Sequence, residues 1–340
     1  MKYELNAMKA VYSYFFPEVR SVLRYTQLPD ALFLVNSRAA TVRKRMDELF
    51  SPPLEIPETR DGRIDLDELH LPVIKRVTKA YSAVVPQLGN FKYAYPTSGS
   101  SEGLFHLLAW LKTQGATAIN VLKGEYEGYA AQAKNLGLTV FERTLEDTEN
   151  CEPGYWFISN PSARDGNILP NKVINELCER GNKVILDLAY VGTTRSYPFN
   201  VKHKNIIAAV TSFSKPYGVF RFRIGGFVFA RKEIPTLYGN KWFKDITRLL
   251  QALALAEQIG PRKLYEKYAP IQKAIADDIN DKLDLGLKQS DVLLIANLSE
   301  DDAKKLSGAK RKLIEPFKRG TAYRFCLTPY FEKIENEGIP

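Results

Sequence analysis

Cysteine, histidine and methionine are all scarce in this 340-residue chain, at three residues apiece. Cys151, Cys178 and Cys326 are far apart, odd in number and without CxxC spacing. That argues against a disulfide framework or a structural zinc site and reads as reduced, partly buried thiols. His70, His106 and His203 are too widely separated to suggest a metal cluster, and His106, inside the apolar "GLFHLLAWL", reads as a packed core histidine. Long apolar runs are missing too: none approaches the ~20 residues of a membrane span. The N-terminal "MKYELNAMKAVYSYFF" carries a glutamate and lacks a small-residue cleavage site, so no secretory signal is supported and the expected location is cytoplasmic. Repeats and low-complexity segments are absent as well.

Charge of one sign is in modest excess, with 48 Lys and Arg against 39 Asp and Glu, a net +9. Such a balance raises the question of nucleic acid or an anionic membrane. The basic residues, however, are spread along "TVRKRMDELF", "VKHKN", "AKRKL" and "PFKRG" and mixed with acids. No aromatic-interleaved basic block or arginine-rich tail occurs. A solvated basic surface with a bias toward anionic small molecules is the expectation, with no nucleic acid and no membrane as partner.

What is plentiful is apolar content, 45% of residues, enough for a large core and two or three structural units. Residues 1 to about 70 read as helical and loop-like, closed by the proline-rich "SPPLEIPETRDG". Strand-like "AINVL", "LTVFER", "YWFIS", "KVILDL", "NIIAAVTS" and "GGFVFA" then alternate with helix-like "SEGLFHLLAWLKT", "EGYAAQAKNLG" and "NKVINELCERG". Alternation of this kind predicts an α/β fold, a mostly parallel sheet with helices on both faces. From about 241 a long helical region follows, broken near Gly260 and Pro261. A compact tail comes last, with "DVLLIANL" and "YRFCLTP" as strands and "SEDDAKKLSG" as a helix. The expected organisation is an N-terminal segment 1–70, a large domain 71–265 and a smaller α+β C-terminal domain 266–340.

Ligands of open α/β sheets bind beyond the carboxyl ends of the strands, and four stretches there carry chemistry. In "YPTSGSSEGLFHLL", Ser98 to Ser101 precede a helix, where N–H groups, the helix dipole and hydroxyls converge on an anion or form an ordinary cap. In "VILDLAYVG" an apolar strand ends in Asp187, with Tyr190 three residues on; the acid is either a cap or a charge aimed at a bound cation. "WFISNPSARDG" delivers Asn160 and Pro161 into what alone is a plain Asn-Pro turn. In "VTSFSKPYGVFRFRIGG", Lys215 has no charged residue within five positions and Arg223 follows eight residues later. A lysine in a partly desolvated site near another cation has a lowered pKa and can form a Schiff base, and arginine binds phosphate bidentately. A lysine imine, a carboxylate for a pyridinium nitrogen and anion donors for a phosphate are together the parts of a pyridoxal phosphate site.

At these residues the chain resembles the fold type I pyridoxal-phosphate enzymes, specifically the class I/II aminotransferase superfamily and its shorter members similar to histidinol-phosphate aminotransferase. The resemblance covers roughly residues 90 to 330. "SFSKPYGVFRFRIGG" matches the family's S-x-S-K-x-x-G-x-x-x-x-R-x-G, which implies Lys215 as the Schiff-base lysine and Ser212 and Arg223 as phosphate ligands. By the same resemblance Asp187 meets the pyridine nitrogen, Tyr190 the cofactor's phenolic oxygen, and Ser100 and Ser101 the phosphate. Tyr126 of "GEYEGY" is implied as the ring-stacking aromatic, Asn160 of "NPSA" as a second ligand of the phenolic oxygen, and Arg324 of "YRFCLTP" as the arginine gripping a substrate α-carboxylate. The chain departs from the family in placing Ala163 where N-P-T-G has glycine. An alternative alignment puts Ala163 at the asparagine position, and the N-terminal segment shows no clear counterpart of the substrate-gating loop. The resemblance implies a homodimer that transfers an amino group from an amino acid to a 2-oxo acid. Alternatives are a lyase, decarboxylase, cyclase or oxidase acting on the same kind of substrate. A non-catalytic cofactor-binding regulator is disfavoured, since residues 1–70 offer no evident helix-turn-helix.

Overall fold

A computed structural model describes residues 5–9, 14–25, 39–149, 151–240 and 245–337. Parts of the segment expected over 1–70, and 241–244 at the start of the expected long helical region, lie outside the described residues. Helices α1 (Pro17–Tyr25), α2 (Ala39–Leu49) and α3 (His70–Tyr81) precede the first strand. Strand β1 (Tyr93–Thr97) leads into α4 (Ser100–Thr113), and β2 (Ala118–Leu122) into α5 (Glu127–Asn135). Then come β3 (Thr139–Arg143), β4 (Tyr155–Ser159), α6 (Asn171–Glu179), β5 (Lys183–Leu188), β6 (Ile206–Ser212) and β7 (Gly226–Ala230).

These seven strands form one sheet in the order β1-β7-β6-β5-β4-β2-β3, parallel except for β7, which runs against both of its neighbours. The runs "YWFIS", "KVILDL" and "GFVFA" are apolar nearly throughout because both sheet faces are covered, and they are buried almost end to end. On one face, Leu104, Leu107, Leu108 and Leu111, at helical spacing along α4, pack with Phe157, Ile185, Val210 and Val228. The alternate strand residues Trp156, Ile158, Leu186 and Phe227 enter the larger core on the other face. Strand β1 is an addition to the expected set; "YAYPT" is short, carries Pro96 and sits at a sheet edge, where a missing N–H is tolerated.

Helices α7 (Pro235–Asn240), α8 (Ile246–Gln258) and α9 (Lys263–Leu283) follow, with the expected break at Gly260 and Pro261 lying between α8 and α9. The boundary expected at 265/266 falls inside α9. A second, antiparallel sheet joins β8 (Lys288–Gln289), β9 (Ile295–Ser299), β10 (Lys318–Arg319) and β11 (Ala322–Cys326) in the order β10-β11-β9-β8. Gln272 of α9 is fully buried and ties that helix to this sheet, its Nε2 standing 2.8 Å from the Ile295 carbonyl and 2.9 Å from that of Val292. "SEDDAKKLSG" holds the expected helix in its first half. This is α10 (Glu300–Lys304), capped by Ser299, and then Ser307 caps a separate α11 (Gly308–Ile314); α12 (Thr328–Glu337) ends the described chain. His106 is not a core residue: it is half-buried on the flank of α4, 3.9 Å from Glu102. Cys178 and Cys326 are buried, Cys151 is half-buried, and all three are unbridged.

Candidate active site

Strand register brings most of the sequence-predicted residues to one edge. Ser159 lies opposite Asp187, and Ser212 and Thr97 both lie opposite Gly226. The carboxyl ends of β1, β4, β5 and β6 therefore meet the start of the antiparallel β7, where a cavity of about 150 Å³ opens. Its lining includes Ser100, Ser101, Tyr126, Asp187, Tyr190, Ser212, Lys215 and Arg223.

One end of the cavity is built for an anion. Ser100 and Ser101 open α4, whose first-turn N–H groups have no intrahelical acceptor. A Cβ on Gly99 would stand 3.3 Å from Arg223 Nη2 and 3.9 Å from Ser214 Oγ, so the missing side chain keeps the space between guanidinium, hydroxyl and helix start open. The Ser214 hydroxyl is buried without a partner, while Ser212 Oγ accepts the Ser214 N–H at 3.2 Å. Arg223 itself takes a left-handed backbone conformation at φ 51, sparsely populated by residues with a side chain. Ser101 Oγ is 3.0 Å from the hydroxyl of Tyr126, the aromatic beside the cavity.

The other end is built for a cation. Asp187, buried at the end of β5, accepts the Tyr129 hydroxyl at 2.7 Å and the Ala189 N–H at 3.0 Å. Burial pushes its carboxyl up from 3.8 to about 6, although both hydrogen bonds pull the other way. Tyr129 escaped the sequence reading. It lies three residues after Tyr126, their rings edge-on at 5.3 Å, and the helical spacing in "YEGY" was the available signal. Burial raises the Tyr190 phenol to about 12 against the opposing pull of Arg324. Between the two ends sits Lys215, in the loop from β6 to β7, its amine lowered first by burial and then by the Arg324 guanidinium.

Two predicted residues stand elsewhere. Asn160 does not line the cavity: its Nδ2 donates to the Leu169 carbonyl at 2.9 Å and its Oδ1 accepts the Leu169 N–H at 3.0 Å, so the carboxamide braces the 160–169 loop. Ser159 and Ala163 line the cavity in its place. Arg324, in the middle of β11, lines an adjoining cleft of about 350 Å³ that shares Tyr126 with the cavity. Its Nη1 donates to the Ala163 carbonyl and its Nε is buried without a partner. Glu125, also unforeseen, accepts hydrogen bonds from Ser159, Ser162 and the Ala163 N–H.

Residues 92–266 match the family described as aminotransferase class I and II. No match is found among curated proteins. Among solved structures the chain is similar to L-threonine-O-3-phosphate decarboxylase from Porphyromonas gingivalis, with 15% identity and a TM-score of 0.59 over 96% of this chain and 97% of that one. It is also similar to YbdL from Escherichia coli, identified with a methionine aminotransferase function (14%, TM-score 0.57, 92% and 93% covered). A third is a PLP-bound C-S lyase from Staphylococcus hominis (12%, TM-score 0.60, 99% and 90% covered). At these identities the structural likeness is one of fold. The family and the PLP-bound neighbour point to pyridoxal phosphate, and the residues present fit it. An orphaned hydroxyl, an arginine and a helix start suit the phosphate, a buried carboxylate suits a positive ring nitrogen, and a lysine of lowered pKa suits the aldehyde.

Proposed function

We propose that this chain, which belongs to the aminotransferase class I and II family, transfers the amino group of an amino acid to a 2-oxo acid. The cofactor is pyridoxal 5′-phosphate. When bound, it supplies an aldehyde carbon for the substrate amine and an electron sink beside the substrate's Cα. In this reading Lys215 is the residue that would hold it, through its aldehyde carbon. With a substrate amine in the lysine's place, the Lys215 Nζ, made less basic by burial and by Arg324, is the base that would take the proton from Cα and hold it for return. Asp187 keeps the ring nitrogen protonated by pairing with it, and Tyr190, which holds its own proton to about pH 12, donates to the phenolic oxygen. Ser100, Ser101, Ser212 and Arg223 hold the phosphate, Tyr126 covers the ring, and Arg324 binds the α-carboxylate bidentately.

The observation that supports amino transfer is the pairing of Lys215 with Arg324, whose guanidinium is near enough to lower the lysine and retains an unpartnered Nε. A carboxylate bound to that arginine is stabilised against leaving as carbon dioxide, which leaves Cα–H as the bond presented to Lys215. The test is incubation with an amino-acid panel and a 2-oxo acid, with products identified. Equimolar new 2-oxo acid and new amino acid support the reading. Carbon dioxide, ammonia or no product in every case would contradict it.

A homodimer is part of the same proposal. Phe220, which lines the cavity, and nearby Phe222 are 52% and 43% exposed. A second copy would cover this apolar mouth and complete the site. Sedimentation showing a fully active monomer would contradict it.

A further inference from the structure

Glu125 follows β2, sits one residue before Tyr126 and, half-buried at the cleft, directs its carboxylate onto the turn after β4. Its Oε1 accepts the Ser162 hydroxyl at 2.5 Å, and its Oε2 accepts the Ala163 N–H at 3.0 Å and the Ser159 hydroxyl. Ala163 is the residue whose carbonyl receives Arg324 Nη1. One carboxylate thus gathers three donors from the stretch that supports the arginine. A buried carboxylate is costly unless hydrogen-bonded, and burial does raise this one while its donors oppose the rise. Acceptor-only oxygens can take all three donors at once, which no apolar side chain at this position could do.

The neighbouring backbone strengthens the arrangement from the other side. Gly124 and Gly320 lie main chain to main chain: a Cβ on Gly124 would stand 2.5 Å from the Gly320 nitrogen, and one on Gly320 would stand 2.5 Å from the Lys123 carbonyl oxygen. The turn between β10 and β11 is therefore seated on the same β2–α5 loop that carries Glu125. Arg324 projects from β11 into a cleft whose lining includes Gly124, Glu125 and Gly320.

We propose that Glu125 is a positioning residue for Arg324: it clamps the Ser159–Ala163 turn to the β2–α5 loop, and through the Ala163 carbonyl sets the direction in which the guanidinium faces a substrate carboxylate. The inference rests on the role proposed above for Arg324 and adds a residue that the family resemblance did not assign.

The test uses the holoenzyme with the best amino acid of the panel and, as an unreactive probe, 3-phenylpropanoate, a carboxylate without an amine. Glu125→Ala should raise KM about tenfold and weaken calorimetric binding of the probe about tenfold, the effect of losing roughly one charge-assisted hydrogen bond. Its kcat should stay within about twofold and its cofactor content should be unchanged, because the chemistry at Lys215 is not touched. Glu125→Gln keeps an acceptor for the Ala163 N–H and offers its amide to the two serine hydroxyls, so it should recover most of the loss. Glu125→Ala combined with Arg324→Lys should bind the probe no worse than Arg324→Lys alone, as expected of two residues acting in series. Should Glu125→Ala fold poorly, Ser162→Ala, which removes one of the three donors, should show the same KM effect at about threefold. Additive losses in the double variant, or a KM and probe affinity unmoved in Glu125→Ala while Arg324→Lys changes both, would overturn the inference alone. An Arg324→Lys enzyme with unchanged KM and probe affinity would overturn the carboxylate role of Arg324, and the positioning role with it.

Discussion

Asp187→Asn should stabilise the cofactor-free protein at neutral pH while weakening its hold on the cofactor, two effects of opposite sign from one substitution. Asp187 is 4% exposed, and burial raises its carboxyl from 3.8 to about 6. Each tenfold change in proton affinity corresponds to about 1.36 kcal/mol, so the ionised group costs the folded state roughly 3 kcal/mol. The sign follows from which state releases its proton first. Below pH 3.8 the carboxyl is protonated in both states and the cost is absent. As pH rises from 3.8 to about 6 the unfolded chain ionises ahead of the folded one and stability falls; above about 6 the full cost is present. Asparagine keeps an acceptor oxygen for the Ala189 N–H and can turn its amide to donate to the Tyr129 oxygen, so both contacts persist without the charge. In urea unfolding of the cofactor-free proteins, the variant should exceed wild type by up to about 3 kcal/mol near pH 7.5, the gap closing toward about pH 4. Added pyridoxal phosphate should reverse the order at neutral pH, because its positive ring nitrogen offsets the cost only where a carboxylate is present. Equal stability at every pH, or a less stable variant at neutral pH, would refute the reasoning, since Asp187 would then already have its counter-charge within the protein.

Two neighbouring residues give related outcomes. Tyr129→Phe removes the 2.7 Å donor to Asp187, so the cofactor-free protein should lose roughly 1–3 kcal/mol at neutral pH and less in acid, as read by urea unfolding. An equal loss at both would place the effect elsewhere. Ser214→Ala deletes a buried hydroxyl without a partner, and should leave the cofactor-free protein as stable as wild type or up to about 1 kcal/mol more so. It should also weaken pyridoxal phosphate binding roughly tenfold in a spectroscopic titration, the loss of one hydrogen bond to an anion; unchanged affinity would remove Ser214 from the phosphate cradle.

Much of this architecture was legible because strands buried on both faces read as short apolar runs, as in "KVILDL" and "GFVFA". Strand β1 was not, since Pro96 and an edge position hide its character, and the two-residue β8 and β10 carry no periodicity to detect. The cavity-lining residues from Ser100 to Arg223 could be picked out in the sequence because they lie at or beyond the carboxyl ends of apolar strands, and the β6–β7 stretch carries several in fixed spacing. For Asn160 the sequence carried its position and not its contacts: its place beside Asp187 follows from the strand pairing, but only the folded loop shows that Leu169 takes up its carboxamide. Tyr129 and Glu125 were missed because their importance lies in pairings with Asp187 and the Ser159–Ala163 turn, tens of residues away in sequence.

The central claim is that Lys215, set between an anion cradle and a buried carboxylate, carries the cofactor. Reduction of the holoenzyme with borohydride followed by peptide mapping tests it directly. A stable cofactor adduct on the peptide containing Lys215, and its disappearance in Lys215→Ala, is the predicted result; an adduct on another lysine of the wild-type protein would contradict the account.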